Sequence, residues 1–367
     1  MNDSILKIIS RRKFLKDAAR VCCCAGLPSV FFSCFKSEDP GTEAKTAVKK
    51  VTHNSPGFEP AYLKLHRTGE LKKRADKLWA IMEKCRLCPR RCGFNRLRGM
   101  KGFCRAPGAQ LVVSSAHPHF GEEKPLVGKG GSGTIFLTHC NLRCVFCQNY
   151  DIALLGRGVE ASVHDLAGMM IRLQDRGCHN INFVTPTHYS AHILKALDIA
   201  AEKGLRLPIV YNTSGWERLE IVELLDGIVD IYLPDFKYWD SEMSAKYSSN
   251  ARNYPEITGE AIIAMNRQVG VAKPAKDGIM QRGLMIRHLV MPNNTGGSEK
   301  VMEWIAGTLP KDTYVNIMVQ YNPVYKAYDY PEISRRITRE EYTRVVKKAK
   351  EMGLTNLDIQ GYWWLKI

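Results

Sequence analysis

From residue 133 onward the chain alternates two patterns. Short runs rich in Val, Ile, Leu, Phe and Tyr at 133–138, 180–184, 208–212, 229–233, 284–290 and 314–319 predict strands. Between and after them, apolar residues recur every three or four positions near 162–175, 191–203, 217–225, 256–268, 299–308 and 339–351, which predicts helices. A strand followed by a helix, repeated in this way, implies parallel strands joined by right-handed crossovers. A doubly wound sheet and a partial barrel both satisfy that alternation. Polar residues just beyond several different strand ends favour the barrel, because a β/α barrel assembles its site on that face. The expected class is α/β.

Upstream the pattern changes. A helix is expected at 61–85, preceded by a polar stretch, 36–60, that reads as a flexible linker. Before it, Ser10-Arg11-Arg12-Lys13-Phe14-Leu15-Lys16 matches the twin-arginine export pattern, followed by a weakly apolar run at 21–35. That run falls short of the roughly 20 residues a bilayer-spanning helix needs, so it reads as part of a signal and not as an anchor. Phe31-Phe32-Ser33-Cys34 is at best a degenerate lipidation site. The expected organisation is a signal segment at 1–35, a linker and lead-in helix at 36–80, a four-Cys module at 81–110 and a barrel at 111–367. Export to the cell envelope or periplasm follows from the signal; a cytoplasmic location is the alternative.

Charge narrows the partners. The formal charge of +16 is concentrated at the N-terminal side: residues 1–110 hold 24 Lys and Arg against 9 Asp and Glu, and the remaining residues hold 29 against 28. A catalytic region so close to neutral lacks the broad basic footprint that a phosphate backbone requires, which argues against nucleic acid as substrate.

The 12 cysteines are grouped. Cys22, Cys23, Cys24 and Cys34 lie near the start, Cys85, Cys88, Cys92 and Cys104 follow, then Cys140, Cys144 and Cys147, with Cys178 alone. Cysteines two or three residues apart can gather around one metal centre, whereas disulfide frameworks close longer loops. Cys140-Asn141-Leu142-Arg143-Cys144-Val145-Phe146-Cys147 is a C-x3-C-x2-C run directly after the first predicted strand. Three thiolates on a four-iron cluster leave one iron open, and an open iron can chelate the amino and carboxylate groups of S-adenosylmethionine (SAM). A structural zinc would want a fourth ligand. Cys85, Cys88, Cys92 and Cys104 supply four thiolates, enough to close a structural zinc site or an auxiliary [4Fe-4S] cluster. Arg86, Arg90, Arg91, Arg96, Arg98 and Lys101 would offset their charge or dock an acidic electron donor.

At these residues the chain resembles the radical SAM superfamily, and within it the branch similar to pyruvate formate-lyase activating enzymes. The segments that carry the resemblance are Cys85-Arg86-Leu87-Cys88-Pro89-Arg90-Arg91-Cys92, Gly133-Thr134-Ile135-Phe136 leading into 140–149, and the stretches 208–212, 230–237 and 287–290. The match spans roughly residues 80 to 360. It implies a partial (β/α)6 barrel, a [4Fe-4S] cluster on Cys140, Cys144 and Cys147, bound SAM, a low-potential electron donor, and hydrogen abstraction from a substrate. A glycine in the backbone of a glycyl-radical enzyme is one such substrate. The Asp235-Phe236-Lys237 stretch resembles an Asp-x-Lys motif of the activating enzymes that faces SAM and substrate, which makes Asp235 and Lys237 the catalytic candidates. One departure stands out: after the second strand many activating enzymes carry Gly-Gly-Glu to hold the SAM amino group, and this chain has Val184-Thr185-Pro186-Thr187-His188.

Thr185, Thr187 or backbone carbonyls are the candidates to replace that glutamate, and His188 is a candidate donor to substrate. Asn212, with Thr213 and Ser214, closes the third predicted strand and could bond the ribose or carboxylate. Arg287 and His288 sit on opposite faces of the fifth, so one of them at most points inward; Arg287 is the candidate for the SAM carboxylate. Gln320 and Tyr321 end the sixth and could touch adenine. The Gly-rich stretch 128–134 lacks the Gly-Lys-Ser/Thr ending of a phosphate loop and precedes its strand instead of following it. The rival reading is an exported iron–sulfur electron carrier or metal-binding scaffold on the same fold. The missing glutamate favours that reading, and the open-iron triad argues against it.

Overall fold

The computed structural model describes residues 58–360. The expected signal segment, its four cysteines and most of the linker lie outside the described residues. None of the described helices is long and apolar enough to cross a membrane.

The lead-in helix expected at 61–85 is broken. It forms α1 (Tyr62–Arg67) and α2 (Glu70–Ile81), separated by Gly69 in the left-handed region at φ 73° and followed by a short 3-10 turn. The Thr68 hydroxyl bonds the Lys64 and Leu65 carbonyls and so ends α1 locally. Both helices pack on the barrel; Asp230 accepts from the backbone N–H of Ala61, one of the groups a helix start leaves unpaired.

The nine described strands are β1 (Leu111–His119), β2 (Ser132–Leu137), β3 (Val159–Ala161), β4 (Ile181–Val184), β5 (Ile209–Thr213), β6 (Ile231–Pro234), β7 (Gly283–Leu289), β8 (Tyr314–Met318) and β9 (Leu357–Ile359). They form one open sheet in the order β3-β1-β2-β4-β5-β6-β7-β8-β9. From β2 to β9 every neighbouring pair is parallel; β1 runs antiparallel to both β2 and β3. The six expected parallel strands are therefore present, each within about two residues of its expected bounds. Sequence periodicity missed β1, β3 and β9. The last two are three residues long, and β1 carries a register shift near Ser115 and Pro118 in its run, so its alternation is broken.

The crossovers use α3 (Val163–Asp175), α4 (Ser190–Glu202), α5 (Leu219–Leu224), α6 (Ser241–Tyr247), α7 (Tyr254–Val269), α8 (Ser298–Thr308) and α9 (Arg339–Glu351). Two begin with reciprocal capping boxes, Ser162 with Asp165 and Thr338 with Glu341, which explains why their starts were sharp in the sequence. α6 was not expected. Its N-cap is Asp240, which accepts from the Glu242 and Met243 N–H groups.

Alternate side chains of the parallel strands face inward. Val210, Ile231, Leu233, Met285 and Tyr314 share a small apolar cluster with Leu126, separate from the main core. The next inward positions toward the strand ends are polar: Asn212, Asp235, Arg287 and Asn316 are all buried or nearly so. This sequence of apolar then polar positions sets the cavity at the C-terminal ends of the strands. The Gly-rich stretch has a packing role at the other end of the strands, where β2 and β4 begin: a Cβ on Gly130 or Gly133 would collide with the backbone of Gly177 or Asn180, so the glycines permit close approach of two chain segments.

Candidate active site

The loop after β2 brings the triad together. His139 and Arg143, the residues just before Cys140 and Cys144, take left-handed conformations at φ 68° and 55°, and these turns fold the chain tightly around the first two cysteines. Cys140, Cys144 and Cys147 all line one open cavity of about 220 Å³. Cys144 is buried and accepts a hydrogen bond from the Ser248 hydroxyl at 3.0 Å; the Leu142 N–H points at the Cys140 sulfur at 3.4 Å. Burial pushes the Cys144 thiol up to about 11 and the Cys147 thiol up to about 12, with the Lys237 cation pulling both down. Without metal these thiols hold their protons at neutral pH, so ligation displaces a proton from each. The lining contains these three cysteines, no fourth, and no histidine. That donor set fits a four-iron cluster with one iron left open.

Every one of the six parallel strands from β2 to β8 contributes to the cavity through its end or the loop after it, including Val184 and Thr185, Asn212 to Ser214, Asp235 and Lys237, Arg287 and Leu289, and Met318 and Gln320. Charge is concentrated on one wall. Lys237 Nζ donates to Asp235 Oδ2 at 2.5 Å, and Arg287 Nε donates to Asp235 Oδ1 at 2.9 Å. Arg287 also donates to the Asn212 side-chain carbonyl. Burial alone would raise the Asp235 carboxyl, but the two cations outweigh it and hold it below its ordinary range. Burial opposes the Lys237 charge as well, and Asp235 more than restores it. Beneath Arg287, Glu122 Oε2 lies 3.6 Å from Nη1, and burial pushes that carboxyl up to about 7 despite the guanidinium. The inward position of Arg287 leaves His288 on the outer face, bonded to the Phe236 carbonyl and the Ser298 hydroxyl.

Three candidates lie elsewhere. Thr187 donates to Glu217 Oε1 at 2.5 Å on the outer side of the sheet. His188 is buried, its Nε2 is 2.8 Å from the Thr138 carbonyl, and burial pushes the imidazole down to about 3, so it is a neutral structural group with no access to the cavity. Tyr321 is buried with its hydroxyl on the Ile333 carbonyl. The cause for the first two is Thr185. A β-branched residue at φ 61° is a sterically costly conformation, and it turns the chain so that residue 185 stays at the cavity while 187 and 188 leave it. Strain of this kind gathers at functional sites.

The second cysteine group packs against the barrel as a loop module. Cys85 N–H donates to the Phe94 carbonyl and Gly93 N–H to the Cys85 carbonyl, each at 3.0 Å. Fully buried Arg96 fastens it by donating to the His188 carbonyl at 2.7 Å and the Pro107 carbonyl at 2.6 Å. Cys85, Cys88 and Cys104 are buried, Cys92 is half-buried, and all four are free thiols. Burial raises the Cys88 and Cys104 thiols, and neighbouring thiols of the group add to the shift. Among the described residues no three His, Cys, Asp or Glu side chains meet the spacing of a single metal ion's shell; thiolates at the corners of a four-iron cluster stand farther apart than that.

Between the module and the barrel, Glu217 is an unusual group. It is wholly buried, accepts from Thr187 and Thr213 on one oxygen, and has no partner on the other. Burial pushes it up to about 7, with the two hydroxyls working the other way. A carboxyl whose folded value lies above its unfolded one contributes stability that is complete below the unfolded value of about 4.5 and disappears as pH rises through 7. Glu217→Gln is therefore expected to gain up to roughly 3 kcal/mol over the wild type at pH 8 and nothing at pH 4.5. Urea midpoints at the two pH values measure this; an equal difference at both would mean the carboxyl does not titrate in that window.

A partial β/α barrel with three free cysteines on the loop after its first parallel strand, and a cavity shared by all six strand ends, defines the architecture of a SAM-cleaving iron–sulfur enzyme. The radical SAM superfamily model matches residues 134–305. An uncharacterized protein of Methanocaldococcus jannaschii is 34% identical over 284 residues, which cover 75% of this chain and 76% of that protein. The chain belongs to the radical SAM superfamily, and the family implies a [4Fe-4S] cluster and SAM.

Proposed function

We propose that this chain cleaves SAM reductively and abstracts a hydrogen atom from a substrate, in the manner of the pyruvate formate-lyase activating enzymes it resembles, with a protein glycine as the substrate class. The observation that carries the chemistry is the convergence of Cys140, Cys144 and Cys147 on a cavity that holds no fourth cysteine or histidine. A reduced [4Fe-4S] cluster bound there would supply one electron to the sulfonium of SAM, and breaking the S–C5′ bond would give methionine and a 5′-deoxyadenosyl radical.

The chain's own residues do the rest. The triad would ligate the cluster, and Ser248 holds the Cys144 sulfur in place. Arg287 and Lys237 present positive charge suited to the SAM carboxylate, while Asp235 keeps both cations fixed and offers an acceptor for the ammonium. Thr185, Asn212 and Gln320 line the same cavity and are the neutral hydrogen-bonding groups in reach of the nucleoside. Leu142, Phe146, Leu154, Leu289 and Met318 give it apolar walls that limit water. The four-Cys module would hold an auxiliary cluster, since its side chains do not meet the spacing that the structural zinc considered from the sequence needs, and its basic residues would receive a low-potential electron donor.

The test is anaerobic. Full-length protein, reconstituted with iron and sulfide and reduced with dithionite, is expected to convert SAM to 5′-deoxyadenosine, measured by chromatography. A fully loaded, reducible cluster that leaves SAM intact, both alone and with glycine-containing peptides, would favour the electron-carrier reading.

A further inference from the structure

Arg90 stands between the two cysteine groups. It lies within the Cys88-to-Cys92 stretch of the module, yet its side chain reaches the barrel. Nε donates to the Asn141 carbonyl, inside the triad loop, at 3.0 Å, and Nη2 donates to the Ser248 carbonyl at 3.1 Å. The Ser248 hydroxyl is the group that donates to the Cys144 sulfur. The guanidinium is also stacked, 4.0 Å from the Phe103 ring and 4.7 Å from that of Trp216. Cys88 and Cys92 act on it electrostatically from one side, Cys140 and Cys144 from the other.

Its hydrogen-bond partners are two carbonyls and no carboxylate. A guanidinium drawn out of water without a counter-ion is costly. Both flanking sites become anionic when their thiols are metallated: four thiolates around a four-iron cluster carry about −2 in all, and three about −1. Reduction of the triad's cluster adds one further negative charge beside the same cation. We propose that Arg90 is the shared counter-ion of the two cysteine sites, a positioning residue that steadies the Cys140-to-Cys144 loop and makes the triad's cluster easier to reduce. The proposal rests on the reading of both groups as metal centres. It is electrostatic, so charge should matter more than the shape of the side chain.

The experiment is an EPR-monitored redox titration of full-length, anaerobically loaded protein without SAM, with iron and zinc measured per chain. The triad's signal is assigned as the one that Cys144→Ala removes. In Arg90→Gln the ratio of reduced to oxidised cluster at the wild-type midpoint is expected to fall about tenfold, which is about 59 mV for a one-electron couple. Arg90→Lys, which keeps the charge and loses the fork, should stay near the wild-type ratio. An Arg90→Gln protein with wild-type metal content and an unchanged midpoint would overturn the proposal. If Arg90→Gln takes up no iron, Arg90→Lys decides: an unchanged midpoint supports the charge, and a drop as large as tenfold overturns it. Metal analysis separates this from the underlying reading. Wild-type protein with no metal beyond the triad's irons would remove the shared role, whatever the midpoints show.

Discussion

Cys144→Ala is expected to lose the triad's iron and at least about a thousandfold of SAM-cleaving activity, a change of more than 4 kcal/mol in barrier terms. Of the three, Cys144 is the buried one, held by Ser248, and the cavity lining offers no fourth cysteine and no histidine to take its place. Two remaining thiolates cannot hold a four-iron cluster open at a single iron, and no other group at the cavity accepts an electron at low potential. The control is Cys178→Ala. Cys178 is also buried but belongs to neither group, so its loss should cost about 1 kcal/mol of stability and leave iron and activity intact. Iron per chain and 5′-deoxyadenosine formed, measured side by side on the two proteins, check the contrast. Equal losses in both would mean that Cys144 acts only in packing.

The second large effect concerns Arg287. Its guanidinium binds Asp235, bonds Asn212 and faces Glu122, and with Lys237 it keeps the Asp235 carboxyl ionised against burial. Arg287→Met leaves Asp235 with Lys237 alone and Glu122 without its cation, and removing one partner of a buried ionic network costs about 3–5 kcal/mol. The urea midpoint of the metal-free protein should fall accordingly. Its SAM affinity, read by equilibrium dialysis on the loaded protein, should fall with it if Arg287 meets the carboxylate. Arg287→Lys restores the charge without the planar fork and should recover much of the stability but less of the binding. A Met variant as stable as the wild type would show that the network is neutral to folding. The pH dependence carries a definite sign: Asp235 has a lowered value in the fold, so its contribution is present above the unfolded carboxyl value and is lost as pH falls through the folded one.

Much of the architecture was legible in the sequence because it is local. Strand and helix periods are set by neighbours two to four residues apart, and the six parallel strands and their major helices follow from them. The triad was legible for the same reason, since the three cysteines that meet at the cavity fall within eight residues. So was the inward side of β7, because alternation along a strand permits only Arg287 or His288 to face the cavity.

What only the tertiary structure decided are the groups whose partners are distant. The strand β1 exists because β2 and β3 pair with it on either side, and its own residues, with His, Ser and Pro interrupting the alternation, do not announce it. Thr187 and His188 were expected at the cavity because they stand after the second strand, in the place of Gly-Gly-Glu, but a left-handed residue at Thr185 turns the chain away from it. Ser248 reaches Cys144 across 104 positions of chain, and Arg90 reaches Asn141 across 51. Contacts of that span leave no periodic trace, because nothing in the local pattern fixes which loops a closed core brings together. The sequence by itself determined the spacing of the three cysteines and the strands that carry them; the packing of module against barrel decided which charges and hydroxyls surround those thiols.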